Sequence, residues 1–182
     1  MPLSKDFKKI LLGEGKLYKD HGETGALELG YVRGGEFNEN LTVRHIEVDG
    51  KKGPIIGDAV TESSMPTLTF NAVQMDASLL KEVFYNLAVV DNTDGTGTIT
   101  RAIANPEAAD YLTNVAFVGK TKDGTAVVIK LLNALGEGPV NFAFTDKGEV
   151  EIPCLFTGNY ETIDDTTAPF EITLPYADSV IA

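Results

Sequence analysis

The chain has 182 residues, 43% of them apolar and 23% charged, with 18 glycines and no tryptophan. That length supports a single domain spanning 1–182 with its own core, and the balance excludes wholesale disorder, collagen-like repeats and low-complexity architecture. A formal charge of −12, from 15 basic and 27 acidic residues, disfavours sequence-independent nucleic-acid binding, which relies on Lys and Arg releasing counterions from phosphates.

Residues 9–18 and 26–33 read as strands of a first hairpin around the polar turn Lys19, Asp20, His21, Gly22, Glu23. Gly34 and Gly35 then break the chain. From Glu36 to Asp49 an extended pattern resumes in which Leu41 and Val43 share one parity and Ile46 and Val48 the other. A bulge near Arg44 or His45 is expected if both pairs are to face one core. Residues 50–64 read as a long loop or arm. Leu68, Phe70 and Ala72 form a strand that leads into a helix, where Asp76 is placed to cap the first turn and Leu79, Leu80, Val83, Phe84 and Leu87 form the packing face. Asp91–Gly97 is a loop tip, and Asn105-Pro106-Glu107 suits the start of a helical turn, with Pro at its first position.

Strand patterns return at Tyr111–Lys120 and Thr125–Leu132, joined by the turn Thr121-Lys122-Asp123-Gly124. A second hairpin is expected from Val140, Phe142 and Phe144, a turn at Thr145-Asp146-Lys147-Gly148, and the alternation of Val150, Ile152, Cys154, Phe156, Gly158 and Tyr160. Glu149, Glu151, Thr157, Asn159 and Glu161 fall on the opposite face, towards water or a polar lumen. The chain thus reads as mainly β, with one helix lying on a sheet.

Little here points to chemistry. Asp91–Gly97 alternates oxygen-bearing side chains, but in calcium-loop register Val90 and Arg101 fall where carboxylates are needed. Two histidines, His21 and His45, with one cysteine cannot build a structural zinc site unaided. Cys154 has no partner for an intramolecular disulfide and reads as a small buried residue. Nucleophile elbow, phosphate loop and dinucleotide fingerprint are all missing; Gly13-Glu14-Gly15 lacks the third glycine, at Tyr18. Asp164-Asp165 are sequence neighbours and project differently. The Ile10-Leu11-Leu12 run is too short for a secretory signal, and no stretch approaches a membrane span, so a cytoplasmic site of synthesis is expected. After Lys147 there is neither Lys nor Arg, while seven acids remain from Glu149 to Asp178.

The run Arg44-His45-Ile46-Glu47-Val48-Asp49-Gly50, followed by Ile56-Gly57-Asp58, resembles the N-terminal pattern of tail tube proteins (major tail proteins) of long-tailed bacteriophages. Leu131-Leu132-Asn133-Ala134, the Val140-Asn141-Phe142 strand and Phe156-Thr157-Gly158-Asn159-Tyr160 are similar to that family's second half. Asp91–Gly97 and Asp164–Ala182 have no clear counterpart in it. The resemblance implies a β-sandwich or barrel of antiparallel strands with one flanking helix, assembled as hexameric rings stacked into a virion tail tube through which DNA passes. It also implies no catalytic residues, no cofactor, no metal and no membrane anchor, assembly in the host cytoplasm, and tape-measure and tail terminator proteins as partners. Within that reading, Lys51, Lys52, Pro54, Ile55, Ile56 and Asp58 are candidates for a ring-stacking arm, unless Ile55 and Ile56 tuck under their own domain. Glu149 and Glu151 are candidates for the lumen wall. The alternatives are a β-sandwich binding module, such as a capsid decoration or receptor-binding domain, and a small hydrolase using scattered carboxylates.

Overall fold

A computed structural model describes residues 10–74, 76–142 and 148–175. It is mainly antiparallel β. In chain order the strands are β1 (Leu11–Lys19), β2 (Leu27–Glu28), β3 (Val32–Asn38), β4 (Leu41–His45), β5 (Ala59–Ser64), β6 (Thr67–Ala72), β7 (Leu87–Asp91), β8 (Gly97–Arg101), β9 (Leu112–Thr121), β10 (Ala126–Glu137), β11 (Ile152–Gly158) and β12 (Phe170–Thr173). The helix α1 (Ala77–Val83) lies between β6 and β7, and a 3-10 turn (Ala108–Asp110) precedes β9.

The main sheet runs β2-β1-β9-β10-β11-β6-β3, with β12 also paired to β10. Its shape follows from β10. This strand pairs with β9 along most of its length, but its other edge changes partner, from β12 at Val128–Leu131 to β11 at Ala134–Glu137. The change occurs at Asn133, whose φ of 45° lies in the left-handed region that Asn tolerates better than most residues. Asn133 Nδ2 donates to the Asn159 carbonyl at 3.1 Å, and Asn159 Nδ2 donates back to the Asn133 carbonyl at 3.0 Å. The sheet therefore folds over at this corner into an open barrel. β1 and β3, far apart along the hydrogen-bonded path, face each other across a cleft that no ladder among the described residues closes.

Inside the wrap lie Leu17, Leu29, Leu68, Phe70, Val115, Leu131, Ile152, Cys154 and Phe156, all buried. Phe70 and Phe156 stack with centroids 5.8 Å apart, as the alternation of β6 and β11 requires when they pair Cys154 with Phe70. α1 covers the same core with Leu80 and Val83, followed by Phe84 and Leu87; Leu79 is half-buried. Asp76 caps α1, its side chain accepting from the Leu79 amide at 2.9 Å.

Several expectations need correction. Gly34 and Gly35 do not break the chain: β3 runs through them, and its register against β6 shifts between Arg33 and Glu36. The bulge expected near Arg44 lies instead between Thr42 and Val43. The long loop expected over 50–64 ends at Gly57–Asp58, beyond which the chain is β5. Helical backbone stops at Val83, because Phe84 is extended and Asn86 has φ 58°, so Leu87 belongs to β7 rather than to the helix. Asp91–Gly97 is the tip of a β7–β8 hairpin whose strands the sequence reading did not resolve. The helical turn near Pro106 starts two residues late, with Glu107 as its N-cap. β11 pairs with β10 and β6, and Val140 and Phe142 are not in a strand; the rest of the expected hairpin, residues 143–147 with Phe144 and the turn, lies outside the described residues.

Candidate assembly interface

β4 and β5 form a two-stranded ladder separate from the main sheet, from Leu41 opposite Ser64 to His45 opposite Ala59. Such a ribbon has no third layer to cover either face, so its apolar side chains meet solvent whatever their parity. Leu41, Val43, Ile46 and Val48, expected in the core, are all exposed, as are Ile55, Ile56 and Val60. Ile56 is completely exposed and Ile55 is 63% exposed, so neither tucks under its own domain. Lys52 and Pro54 are also exposed, beside them on the same loop.

Polar contacts hold this apolar arm in shape at both ends. At the base, Asn40 (φ 51°) donates through Nδ2 to the Met65 carbonyl at 3.0 Å, Ser64 Oγ donates to Glu39 at 3.1 Å, and the Tyr160 hydroxyl donates to the Ser64 carbonyl at 3.1 Å. Midway, Arg44 pairs with Glu62 at 2.6 Å. At the tip, Asp58 is buried, an unusual place for a carboxylate. One oxygen accepts from His45 Nδ1 at 2.6 Å, and the other accepts from the Ile55 amide at 2.9 Å and from the Lys51 ammonium. Lys51 also donates to the Ile46 carbonyl at 2.6 Å, and the Ile46 amide donates to the Asp58 carbonyl at 2.9 Å. The hydrogen bond from His45, reinforced by Lys51 and the Ile55 amide, holds the Asp58 carboxyl well below the usual carboxylate range. An ionised carboxylate only accepts, so His45 carries its proton on Nδ1. The two sequence runs Arg44–Gly50 and Ile56–Asp58 thus meet in space through His45 and Asp58.

Glu149 and Glu151, just before β11, have solvent-accessible carboxylates that both pair with Arg33 of β3, at 3.4 and 3.3 Å. Glu151 also accepts from Asn71 Nδ2 at 3.0 Å. Arg33 as their partner was not foreseen; it becomes visible only once β3 is placed beside β6 and β6 beside β11.

Elsewhere polar groups serve local structure. In the Asp91–Gly97 loop, Asp91 accepts from the Thr93 amide and Asp94 from the Thr96 amide and hydroxyl, so their oxygens face inward to the turn. Asp165 accepts from the amide and hydroxyl of Thr162. His21 lies in its turn with its amide donating to Asn114 Oδ1 at 2.9 Å. Cys154 is buried, and burial pushes its thiol up to about 12. No cluster of three or more metal-ligating side chains occurs among the described residues. No helix among them is long and apolar enough to cross a membrane.

No family model and no curated protein matches the chain. Among solved structures it is similar to a chain of the tail of an empty GTA particle, computed with helical refinement in C6 symmetry. The TM-score is 0.47 and the identity 9%, over 95% of this chain and 100% of that one. A likeness of that degree is too slight to carry function from one chain to the other.

Proposed function

We propose that the chain is the repeating structural subunit of a phage-type tail tube, its whole length acting as one tail-tube domain. Copies join side by side into hexameric rings and end to end into a conduit for DNA in the virion tail, with tape-measure and terminator proteins at the lumen and ends. The observation that carries this reading is the β4–β5 arm. A row of exposed apolar side chains is costly on a solitary soluble protein and marks a protein–protein contact. The contacts of Asp58, Ser64 and Tyr160 hold that row in a defined shape before any partner arrives, which lowers the ordering cost of association.

Three further features support it. Residues 44–50, 56–58, 131–134, 140–142 and 156–160 resemble tail tube proteins, and the runs 131–134 and 156–160 clamp each other through Asn133 and Asn159. Among the described residues the main sheet leaves strand edges free at β3 and along most of β1, which neighbours in a ring could cover. The charge of −12 suits a wall along which DNA must slide without sticking. In this arrangement Ile55, Ile56, Pro54 and Lys52 make the ring-stacking contact, Lys51 and Asp58 shape it, and Glu149 and Glu151, bridged by Arg33, contribute to the lumen wall.

Negative-stain electron microscopy of the concentrated protein tests the reading: rings or tubes are expected. The variant lacking Lys51–Asp58 keeps five residues, 46–50, to join His45 to Ala59, enough for a hairpin loop. It should therefore fold, with an unchanged circular dichroism spectrum, yet form no tubes. Compact monomers from the intact chain at all concentrations would favour the binding-module alternative.

A further inference from the structure

The cleft between β1 and β3 is apolar and, among the described residues, unfilled. Leu11, Leu12, Phe37, Phe117 and Ile129 line it, with the buried Leu17 and Leu68 at its floor, and its volume is about 280 Å³. A cavity of about 150 Å³ takes a benzene ring, so this one has room for two branched aliphatic side chains. The single charged residue on its lining is Glu36, which is exposed at the lip.

The arm carries the complement. Ile55 and Ile56 are adjacent and exposed, and Lys52, three residues before Ile55, is exposed and in no ion pair among the described residues. Two exposed isoleucines beside a cation match an apolar cleft with a carboxylate at its rim. They do not meet within one chain, where Ile55 and Ile56 are exposed and neither lines the cleft. The arm leaves directly from the end of β3, the strand that forms one lip of the cleft, and the bonds of Asn40, Ser64 and Tyr160 fix its direction there.

We infer that the arm tip of one copy, Ile55 and Ile56, seats in the β1–β3 cleft of the next copy, with Lys52 facing Glu36. This rests on the self-assembly proposed above and names the surface the arm occupies. The two surfaces lie at different places on the same chain, so the contact is heterologous: every copy offers one arm and one cleft, and the chain of contacts continues from copy to copy instead of closing as a two-fold dimer.

Cysteine cross-linking tests it. The full chain carrying Ile56→Cys and Leu11→Cys is oxidised under mild conditions at a concentration where the protein assembles, and run without reductant. A ladder beyond the dimer, collapsed by reductant and absent from either single variant, is the expected result. Charge exchange offers a second measure that leaves the core untouched. Glu36→Lys or Lys52→Glu alone should raise the critical concentration for assembly about two- to fivefold, as expected for an exposed ion pair, and the two together should restore it. Tubes that form with neither a ladder nor charge rescue would overturn the cleft as receptor while leaving self-assembly standing; residues 1–9 would then be the next occupant to examine. Monomers throughout would overturn both.

Discussion

Asp58 draws together three separate parts of the arm: His45 from the end of β4, Lys51 from the middle of the connecting loop, and the Ile55 amide from the turn that carries the exposed isoleucines. Replacing it with Asn keeps the size and one acceptor but removes the charge that makes these bonds strong. In Asp58→Asn, the Ile46 and Ile55 amides should exchange with solvent faster, while amides of β6 and β11 keep their protection, because the arm shares no ladder with the main sheet. The wild type should lose the same protection in acid. A carboxyl whose folded pKa lies below its unfolded value adds stability that is complete above the ordinary carboxylate pKa, about 3.9, and fades as pH falls from there towards the lowered value. Hydrogen exchange between pH 7 and pH 3 measures both effects, and arm protection that stays level across that range would refute this role for Asp58. Lys51 and Asp58 entered the arm through the resemblance to tail tube proteins, on either side of the apolar pair Ile55 and Ile56. The bond between Asp58 and His45 was not legible in the sequence, since a separation of 13 residues becomes a contact only when β4 and β5 pair.

At the scale of elements, the end of α1 comes up against β10 at Gly136. A methyl group added at Gly136 would lie 1.6 Å from the Val83 carbonyl oxygen, so only glycine lets the end of the helix sit on the strand. The opposing atom is backbone and cannot turn aside as a side chain would. Gly136→Ala should therefore cost the upper part of the usual overpacking penalty of about 1–3 kcal/mol, read as a lower midpoint in urea with an unchanged slope. An unaffected midpoint would mean that α1 is not seated on β10. The strands most legible in the sequence were β6, β9 and β11, whose alternation reports a half-buried surface directly. The cap at Asp76 was legible for the same local reason. β7 and β8 were hidden because Phe84 and Leu87 continue a helical spacing past the point where Asn86 turns the backbone. The arm misled in the opposite way: Leu41, Val43, Ile46 and Val48 look like core, since the sequence shows hydrophobicity but not whether the surface to be covered belongs to the same molecule.

For the whole molecule, charge decides what a tube of these chains can carry. Net charge was readable from the start; what the fold adds is the fate of the cations. Lys16 pairs with Glu28, Lys19 with Glu82, Arg33 with Glu149 and Glu151, Arg44 with Glu62, and Lys51 with Asp58. A phosphate approaching any of these would have to displace a carboxylate, which then repels it at close range. Exposed pairs of this kind contribute little to stability, yet they tie up five of the eleven Lys and Arg of the described residues, which would otherwise be open to release counterions from DNA. Assembled or free, the protein should therefore show no retention of double-stranded DNA in an electrophoretic shift assay at 0.15 M salt. Lowering the salt should not induce binding, because the screening length grows from about 8 Å at 0.15 M to about 30 Å at 0.01 M and lengthens the reach of the repulsion. That trend is opposite in sign to the behaviour of nucleic-acid-binding proteins, whose affinity climbs steeply as salt is withdrawn. A complex that tightens at low salt would mean that the cations are more available than their pairings suggest, and it would remove the case for a non-adhesive conduit while leaving the arm and its cleft to be judged by cross-linking.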